Sequence, residues 1–330
     1  MAERRTITVV GCHAGGEVGN VVVGGVEPPP GATVREQMEA LRADDRLRRF
    51  LLREPRGSVA THANLIVPAT RADCDAGFIV MEPTEYPPMS GSNTICVTTV
   101  LLEAGLVPMR EPETVLRLEA AAGVVEVRAA CRDGCVESVE LTNVASHARV
   151  LDAPLEVPGL GTLSVDVAFG GMWYAIADAA ALGFSLEPAE ARDLSEAGEK
   201  IRAAAKEQLT PDVSIVQLAG PWQGVGAVTR NAVVVAPGRL DRSGTGTGLS
   251  ARMAALHARG LMRVGDSMTH ASPIGSTFDG RIVAEADGGI VPAIRGRGFV
   301  TGRWELYVDP RDPFPEGYLL SDTWPGSDLQ

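Results

Sequence analysis

Ser90-Gly91-Ser92-Asn93 and Thr245-Gly246-Thr247-Gly248 carry one short pattern twice, with residues 90 and 245 as its first positions. Each copy leads into an apolar, helix-length stretch, and these stretches stop at the matching pairs Gly105-Leu106 and Gly260-Leu261. A hydroxyl residue, a small-residue turn, a helix and a glycine stop therefore recur in the same order and spacing. That recurrence predicts an internally duplicated α/β fold rather than a helical bundle or an all-β sandwich.

The segments on either side agree. Thr6 to Val10 and Val18 to Val26 read as strands, and Thr33 to Leu52 as one amphipathic helix opened by a Thr33/Glu36 capping box. Asn64 to Val67 and Gly77 to Met81 read as buried strands, a proline-rich turn covers residues 83–88, and Thr94 to Glu103 is helical. Val115 to Leu118, Val124 to Ala130 and Val136 to Leu141 alternate as strands do. Around Pro154 to Pro158 and Gly159 to Gly161 the sequence reads as an edge or linker. Leu163 to Ala168, Trp173 to Ile176, Val213 to Leu218, Ala227 to Thr229 and Ala232 to Ala236 are strand-like, with a long helix from Glu187 to Leu209. The second motif's helix spans about Leu249 to Arg259, strand-like Trp304 to Val308 follows, and a proline-rich tail crosses back to the first lobe.

At 330 residues the chain exceeds one ordinary hydrophobic core, so two lobes of about 150 residues are expected. The expected division is 1–150, completed by 305–330, and 151–304. A net charge of −12 excludes a general nucleic-acid binder, which needs clustered Lys and Arg. It leaves room for a small anion held by backbone amides. The sequence shows no signal segment and no membrane span, and Cys12, Cys74, Cys96, Cys131 and Cys135 form an odd, scattered set. A reduced, cytoplasmic protein is expected, with Cys131 and Cys135 as strand thiols around an Arg132-Asp133-Gly134 turn.

A glycine turn that opens a helix offers unpaired N–H groups and partial positive charge to a carboxylate. Two such openings suit a small amino or imino acid, with Ser90 and Thr245 on opposite sides of its α-carbon and Asp241 placed to hold its nitrogen. The plainer reading makes Ser90 and Thr245 simple helix caps. Gly246-Thr247-Gly248-Leu249-Ser250-Ala251 also matches a dinucleotide fingerprint. There the strand should feed directly into the glycines, whereas residues 237–243 intervene, and no phosphate loop is present. His13, His62 and His270 are candidate pocket residues; His13 with Glu17 lacks the further ligands a metal site needs, and no metal is expected.

The two motifs, together with Cys12-His13-Ala14-Gly15-Gly16-Glu17, Glu54-Pro55-Arg56-Gly57, Val165-Asp166-Val167-Ala168-Phe169-Gly170-Gly171, Thr301-Gly302-Arg303 and Asp309-Pro310-Arg311-Asp312-Pro313-Phe314, resemble the proline racemase family over nearly the whole chain. That family includes hydroxyproline 2-epimerases and trans-3-hydroxy-L-proline dehydratases. The resemblance implies two pseudo-symmetric α/β lobes of the diaminopimelate-epimerase type. Each would be a sheet wrapped around a central helix, with the active site in the cleft between lobes. It also implies cofactor-independent chemistry by a cysteine at each of two helix openings.

Here Met89-Ser90-Gly91-Ser92 stands where the family has Met-Cys-Gly-His, and Asp241-Arg242-Ser243-Gly244-Thr245-Gly246-Thr247-Gly248 where it has Asp-Arg-Ser-Pro-Cys-Gly-Thr-Gly. Asp241 keeps the position associated with the ring nitrogen, and Gly246 and Thr247 keep the carboxylate-binding turn. Ser90, Ser92 and Thr245 depart, with Gly91 retained.

Those departures change the expected chemistry. A thiol, with a reference pKa of about 8.5, works as a base when a helix N-terminus lowers it. An aliphatic hydroxyl needs an activating neighbour. Family dehydratases place Ser or Thr at the first position, as Ser90 does, but keep a cysteine at the second. The expected activity is dehydration of trans-3-hydroxy-L-proline to Δ1-pyrroline-2-carboxylate, with Ser90 or Thr245 borrowing basicity from Asp241, His13 or His62. Alternatives are 4-hydroxyproline 2-epimerisation or proline racemisation, another elimination or isomerisation in the same pocket, and non-catalytic imino-acid binding. A small imino or amino acid is the expected partner, and a homodimer is compatible with the sequence.

Overall fold

A computed structural model of the chain describes residues 5–286 and 288–324. The chain divides into two compact units, one made of the residues before Thr142 together with those from Arg297 on, the other spanning Thr142–Gly296.

In the first unit the strands lie in the spatial order Gly298–Val308, Arg5–Ala14, Glu17–Gly24, Thr61–Val67, Ala76–Met81, Glu113–Ala120, Gly123–Arg132 and Cys135–Thr142. Two of these pairings are parallel, Glu17–Gly24 with Thr61–Val67 and Ala76–Met81 with Glu113–Ala120; the rest are antiparallel. Helices α1 (Val34–Ala43) and α2 (Arg46–Leu52) cover the outside of this sheet. Val34, Met38, Leu41, Phe50, Leu51 and Leu52 there join Val9, Val22, Leu65, Ile79 and Met81 in one apolar cluster. Helix α3 (Gly91–Glu103) lies within the sheet's curve, buried from Gly91 to Leu102 on every face. Its buried hydroxyls bond back one turn, Thr94 Oγ1 to the Ser90 carbonyl, Thr98 to Thr94 and Thr99 to Ile95, each at 2.8 Å.

The second unit repeats the order: His147–Val157, Gly161–Phe169, Trp173–Asp178, Ile215–Ala219, Val228–Val235, Ser267–Ala271, Thr277–Ala286 and Gly289–Gly296, with a short extra strand, Arg239–Leu240, beside Val228–Val235. Its two parallel pairings fall at the same places, Trp173–Asp178 with Ile215–Ala219 and Val228–Val235 with Ser267–Ala271. Helix α4 (Ala191–Gln208) packs outside through Leu194, Ile201, Ala204 and Ala205, against Val165, Val167, Val216 and Leu218. Helix α5 (Gly246–Ala258) is the central helix here. The internal duplication is therefore present, each unit being a sheet around a buried helix.

The paired Gly-Leu stops have one cause. Gly105 and Gly260 take left-handed φ values of 70° and 71°. Leu106 and Leu261 then return their N–H groups to the carbonyls of Leu101 and Leu256, each at 2.9 Å. This is the hydrogen-bonded helix ending that a glycine makes cheap.

Several expectations need correction. The helix expected over 33–52 is broken at Asp44 and Asp45. Asp45 binds Arg48 bidentately, at 2.7 and 2.5 Å, and takes the Tyr86 hydroxyl at 2.7 Å, which holds the chain in a new start instead of a continued helix. The Glu187–Leu209 helix opens as a single 3₁₀ turn, Pro188–Glu190, before α4. Of the two readings for the stretch near Pro154, edge or linker, the structure takes the edge: Pro154 belongs to the His147–Val157 strand. Pro154 is tolerated there because the strand is a sheet edge in its unit, where no ladder N–H is required of it. Both central helices begin earlier than expected, so Gly91 and Gly246 form their first turns. Cys131 pairs with Val136 and is buried, whereas Cys135 pairs with Arg132 and is exposed, so the two thiols occupy opposite faces of the hairpin.

The proline-rich tail folds onto α2 and the loop after it. Arg56 reaches Asp312 at 3.1 Å and the Phe314 carbonyl at 2.8 Å, lies over the Phe50 ring, and Glu54 bridges to Tyr318. Glu54-Pro55-Arg56-Gly57 and the 309–314 segment thus form a structural clasp within the first unit. Among the described residues no helix is long and apolar enough to cross a membrane.

Candidate active site

Ser90 and Thr245 are the N-cap residues of α3 and α5, yet neither side chain makes a capping hydrogen bond. The capping role that would explain their presence is not the one they perform. By helix geometry the first-turn N–H groups of Gly91, Ser92 and Asn93, and of Gly246, Thr247 and Gly248, have no carbonyl partner within the helix. Both openings therefore present amides and the positive end of a helix dipole, as a carboxylate requires.

The surroundings of the two hydroxyls differ in polarity. Thr245 Oγ1 donates to Asp241 Oδ2 at 2.7 Å. The other Asp241 oxygen accepts from the Ser243 N–H at 2.8 Å and its hydroxyl at 2.9 Å, and Ser243 Oγ in turn accepts the Thr245 N–H at 3.0 Å. This small ring of bonds holds Thr245 at φ 55°, a left-handed conformation that a β-branched residue adopts only under constraint. Thr247 Oγ1 pairs with the buried Tyr174 hydroxyl at 2.6 Å. Gly170, from the strand motif ending Phe-Gly-Gly, crosses α5 so closely that a Cβ there would strike the Thr247 carbonyl and the Ala251 N–H. Asn143 ties the crossing down, donating to the Gly170 carbonyl and to Ser250 Oγ at 2.8 Å each.

At the other opening, Ser90 Oγ accepts from Asn93 Nδ2 at 3.0 Å and lies 3.5 Å from Ser92 Oγ. The same amide nitrogen is 3.2 Å from His62 Nδ1 and 3.5 Å from Glu82 Oε1. His62 Nε2 is 3.3 Å from Glu17 Oε1 and His62 Nδ1 is 3.5 Å from Glu82 Oε1; Glu17, His62, Asn64 and Asn93 are all buried. Parallel pairing of Glu17–Gly24 with Thr61–Val67 brings Glu17 and His62 together. Asn93 and Glu82 were not singled out in the sequence, because no spacing pattern links positions 17, 62, 82 and 93. Gly19 lacks a side chain because a Cβ there would sit 2.8 Å from Asn93 Oδ1 and 2.9 Å from Cys96 Sγ.

The remaining candidates have other surroundings. His13 Nδ1 accepts the Gly16 N–H at 3.2 Å and its ring packs on Phe299, so it supports its own turn. His270 is fully buried, and burial, reinforced by Arg252, lowers its pKa to about 3. Burial, with Cys12 and Glu17 nearby, pushes the Cys96 thiol well above the usual thiol range, so it is no thiolate base near α3's opening. Among the described residues no cluster of His, Cys, Asp or Glu has the makings of a metal site.

A family model described as proline racemase matches residues 9–319. The chain belongs to the proline racemase family. A probable proline racemase from Agrobacterium radiobacter K84, solved with bound carbonate, is 42% identical, covers 96% of this chain and 98% of its own, and superposes with a TM-score of 0.89. A hydroxyproline epimerase from Agrobacterium vitis, solved with bound trans-4-hydroxy-L-proline, is 40% identical, covers 97% of each chain and gives a TM-score of 0.88. A PhzF-family phenazine biosynthesis protein from Bacillus anthracis shares the fold at 12% identity, 91% and 99% coverage and a TM-score of 0.60.

Proposed function

We propose that this family member is a cofactor-independent dehydratase of trans-3-hydroxy-L-proline. The observation that carries the reading is the opposite polarity of the two hydroxyls. Thr245 gives its proton to the Asp241 carboxylate, which leaves its oxygen lone pairs toward a C–H acid. Ser90 accepts from Asn93, which leaves its proton for a leaving group. A racemase needs two groups that exchange roles; an elimination needs one acceptor and one donor.

In the proposed reaction the C2–H bond breaks, and its proton goes to Thr245 as the Thr245 proton passes to Asp241. The C2 electron pair forms C2=C3, the C3–O bond breaks, and the departing hydroxyl takes the Ser90 proton to leave as water. The enamine tautomerises to Δ1-pyrroline-2-carboxylate. The substrate carboxylate is held by the first-turn amides, where fixed dipoles stabilise the charge developing at C2.

The second reading is 4-hydroxyproline 2-epimerisation, favoured by the 40% identity to the Agrobacterium vitis epimerase. Incubation with trans-3-hydroxy-L-proline, followed by trapping of the cyclic imine with an amine-bearing aromatic aldehyde, separates the two. Imine is the expected product. Absence of imine, with trans-4-hydroxy-L-proline inverted at C2 instead, replaces the first reading by the second.

A further inference from the structure

We propose that Asn93 is the positioning residue that makes Ser90 a proton donor, and that the Glu17–His62–Glu82 cluster holds Asn93 in that role. The inference rests on the reading that Ser90 meets the substrate.

The orientation of both amides follows from one backbone carbonyl. Asn64 Nδ2 lies 3.4 Å from the Asn20 carbonyl, which can only accept, so the nitrogen of Asn64 must face it. The same nitrogen is 2.8 Å from Asn93 Oδ1, so the Asn93 oxygen faces Asn64 and its NH₂ faces Ser90. Ser90 Oγ is thereby an acceptor toward the protein, and its own proton is directed to Ser92 or outward. The second face of the NH₂ group looks onto His62 Nδ1 and Glu82 Oε1, while Glu17 fixes the far side of the imidazole.

Every member of this chain is buried except Ser90 and Glu82, which are partly so. A donor in low dielectric that points at an oxygen stabilises negative charge on it. When Ser90 releases its proton, the Asn93 amide is already aimed at the resulting oxyanion. The residue two positions before it, Gly91, and its neighbour Ser92 have no amide side chain that could do this.

The test replaces the amide donor by an acceptor of the same shape. In Asn93→Asp, Ser90 must turn its proton toward the carboxylate. Product formation should fall by at least about 100-fold, the scale of a lost general acid, with KM changed by less than about threefold. Loss of deuterium from C2 of labelled substrate, which belongs to the Thr245 opening, should stay within about fivefold of wild type. A purely structural lesion lowers washout and product together, and that outcome overturns the proposal, as does an unaffected product rate.

Asn93→Ala, which buries no new charge, should show the same split between washout and product if the aspartate variant does not fold. His62→Gln should weaken product formation in the same ratio by about tenfold, and a wild-type rate there removes the cluster from the proposal. The ratio is defined for whichever product the wild type makes, so failure of the dehydratase reading is visible separately. Independently of turnover, the ¹⁵N shift of His62 Nδ1 should move from an unprotonated to a protonated value in Asn93→Asp. An unmoved signal contradicts the assigned hydrogen bond.

Discussion

Thr245 and Ser90 look interchangeable as hydroxyl residues, and their hydrogen bonds make them opposites. Asp241 keeps the Ser243 bonds through one oxygen and the Thr245 bond through the other. In Asp241→Asn the Oδ1 bonds to Ser243 survive while an NH₂ group replaces the acceptor of the Thr245 proton. Exchange of the C2 proton with D₂O should then drop by about 100-fold or more, with the fold intact by circular dichroism. An exchange rate equal to wild type places the base elsewhere. The positions of Ser90 and Thr245 were legible in the sequence because the motif repeats around them. The Asp241 acceptor for Thr245 was legible too, four residues before it in the motif. The donor to Ser90 was not, because the orientation of Asn93 depends on Asn64, His62 and Glu17, whose meeting is set by sheet pairing rather than spacing.

At the level of elements, both central helices are buried on all faces, and the strands around them must supply room. Gly170 is where the Gly161–Phe169 strand leaves α5's first turn, and a methyl group there meets backbone atoms that cannot rotate away. Gly170→Ala should cost about 1–3 kcal/mol of stability, read from urea unfolding, and should lower turnover by displacing Thr247. Unchanged stability would mean that the strand and helix separate freely. The helix cores, their Gly-Leu stops and most strands were legible from periodicity and glycine placement. The break at Asp44-Asp45 was not, because it is fixed by side-chain bonds of Asp45 to Arg48 and to the distant Tyr86, which leave the apolar periodicity unchanged. Pro154 left an edge strand and a linker both open in the sequence, because proline interrupts a ladder yet is harmless on an edge; the strand's start at His147 carried no signal.

On the scale of the whole molecule, buried ionisable groups set how the fold responds to acid. The unfolded chain protonates His270 near its ordinary value of about 6.5, whereas the folded protein resists until about pH 3. Between those values the unfolded state binds the extra proton, so this residue's contribution is intact above about pH 6.5 and is lost as pH falls toward 3. The slope is at most about 1.4 kcal/mol per pH unit. His270→Gln, which keeps a polar group beside Gln217, should flatten the fall in unfolding free energy between pH 7 and 4.5. Parallel curves for the two proteins would show that the imidazole titrates normally.

The duplication is asymmetric in chain order. The edge strand His147–Val157 precedes the rest of its sheet along the chain, whereas its counterpart Gly298–Val308 arrives after everything else. On a ribosome, the unit begun second can therefore close its sheet while the unit begun first still waits for a strand. Until Gly298–Val308 emerges, the open edge of Arg5–Ala14 exposes unpaired backbone, the moment at which this chain is most open to mispairing with another.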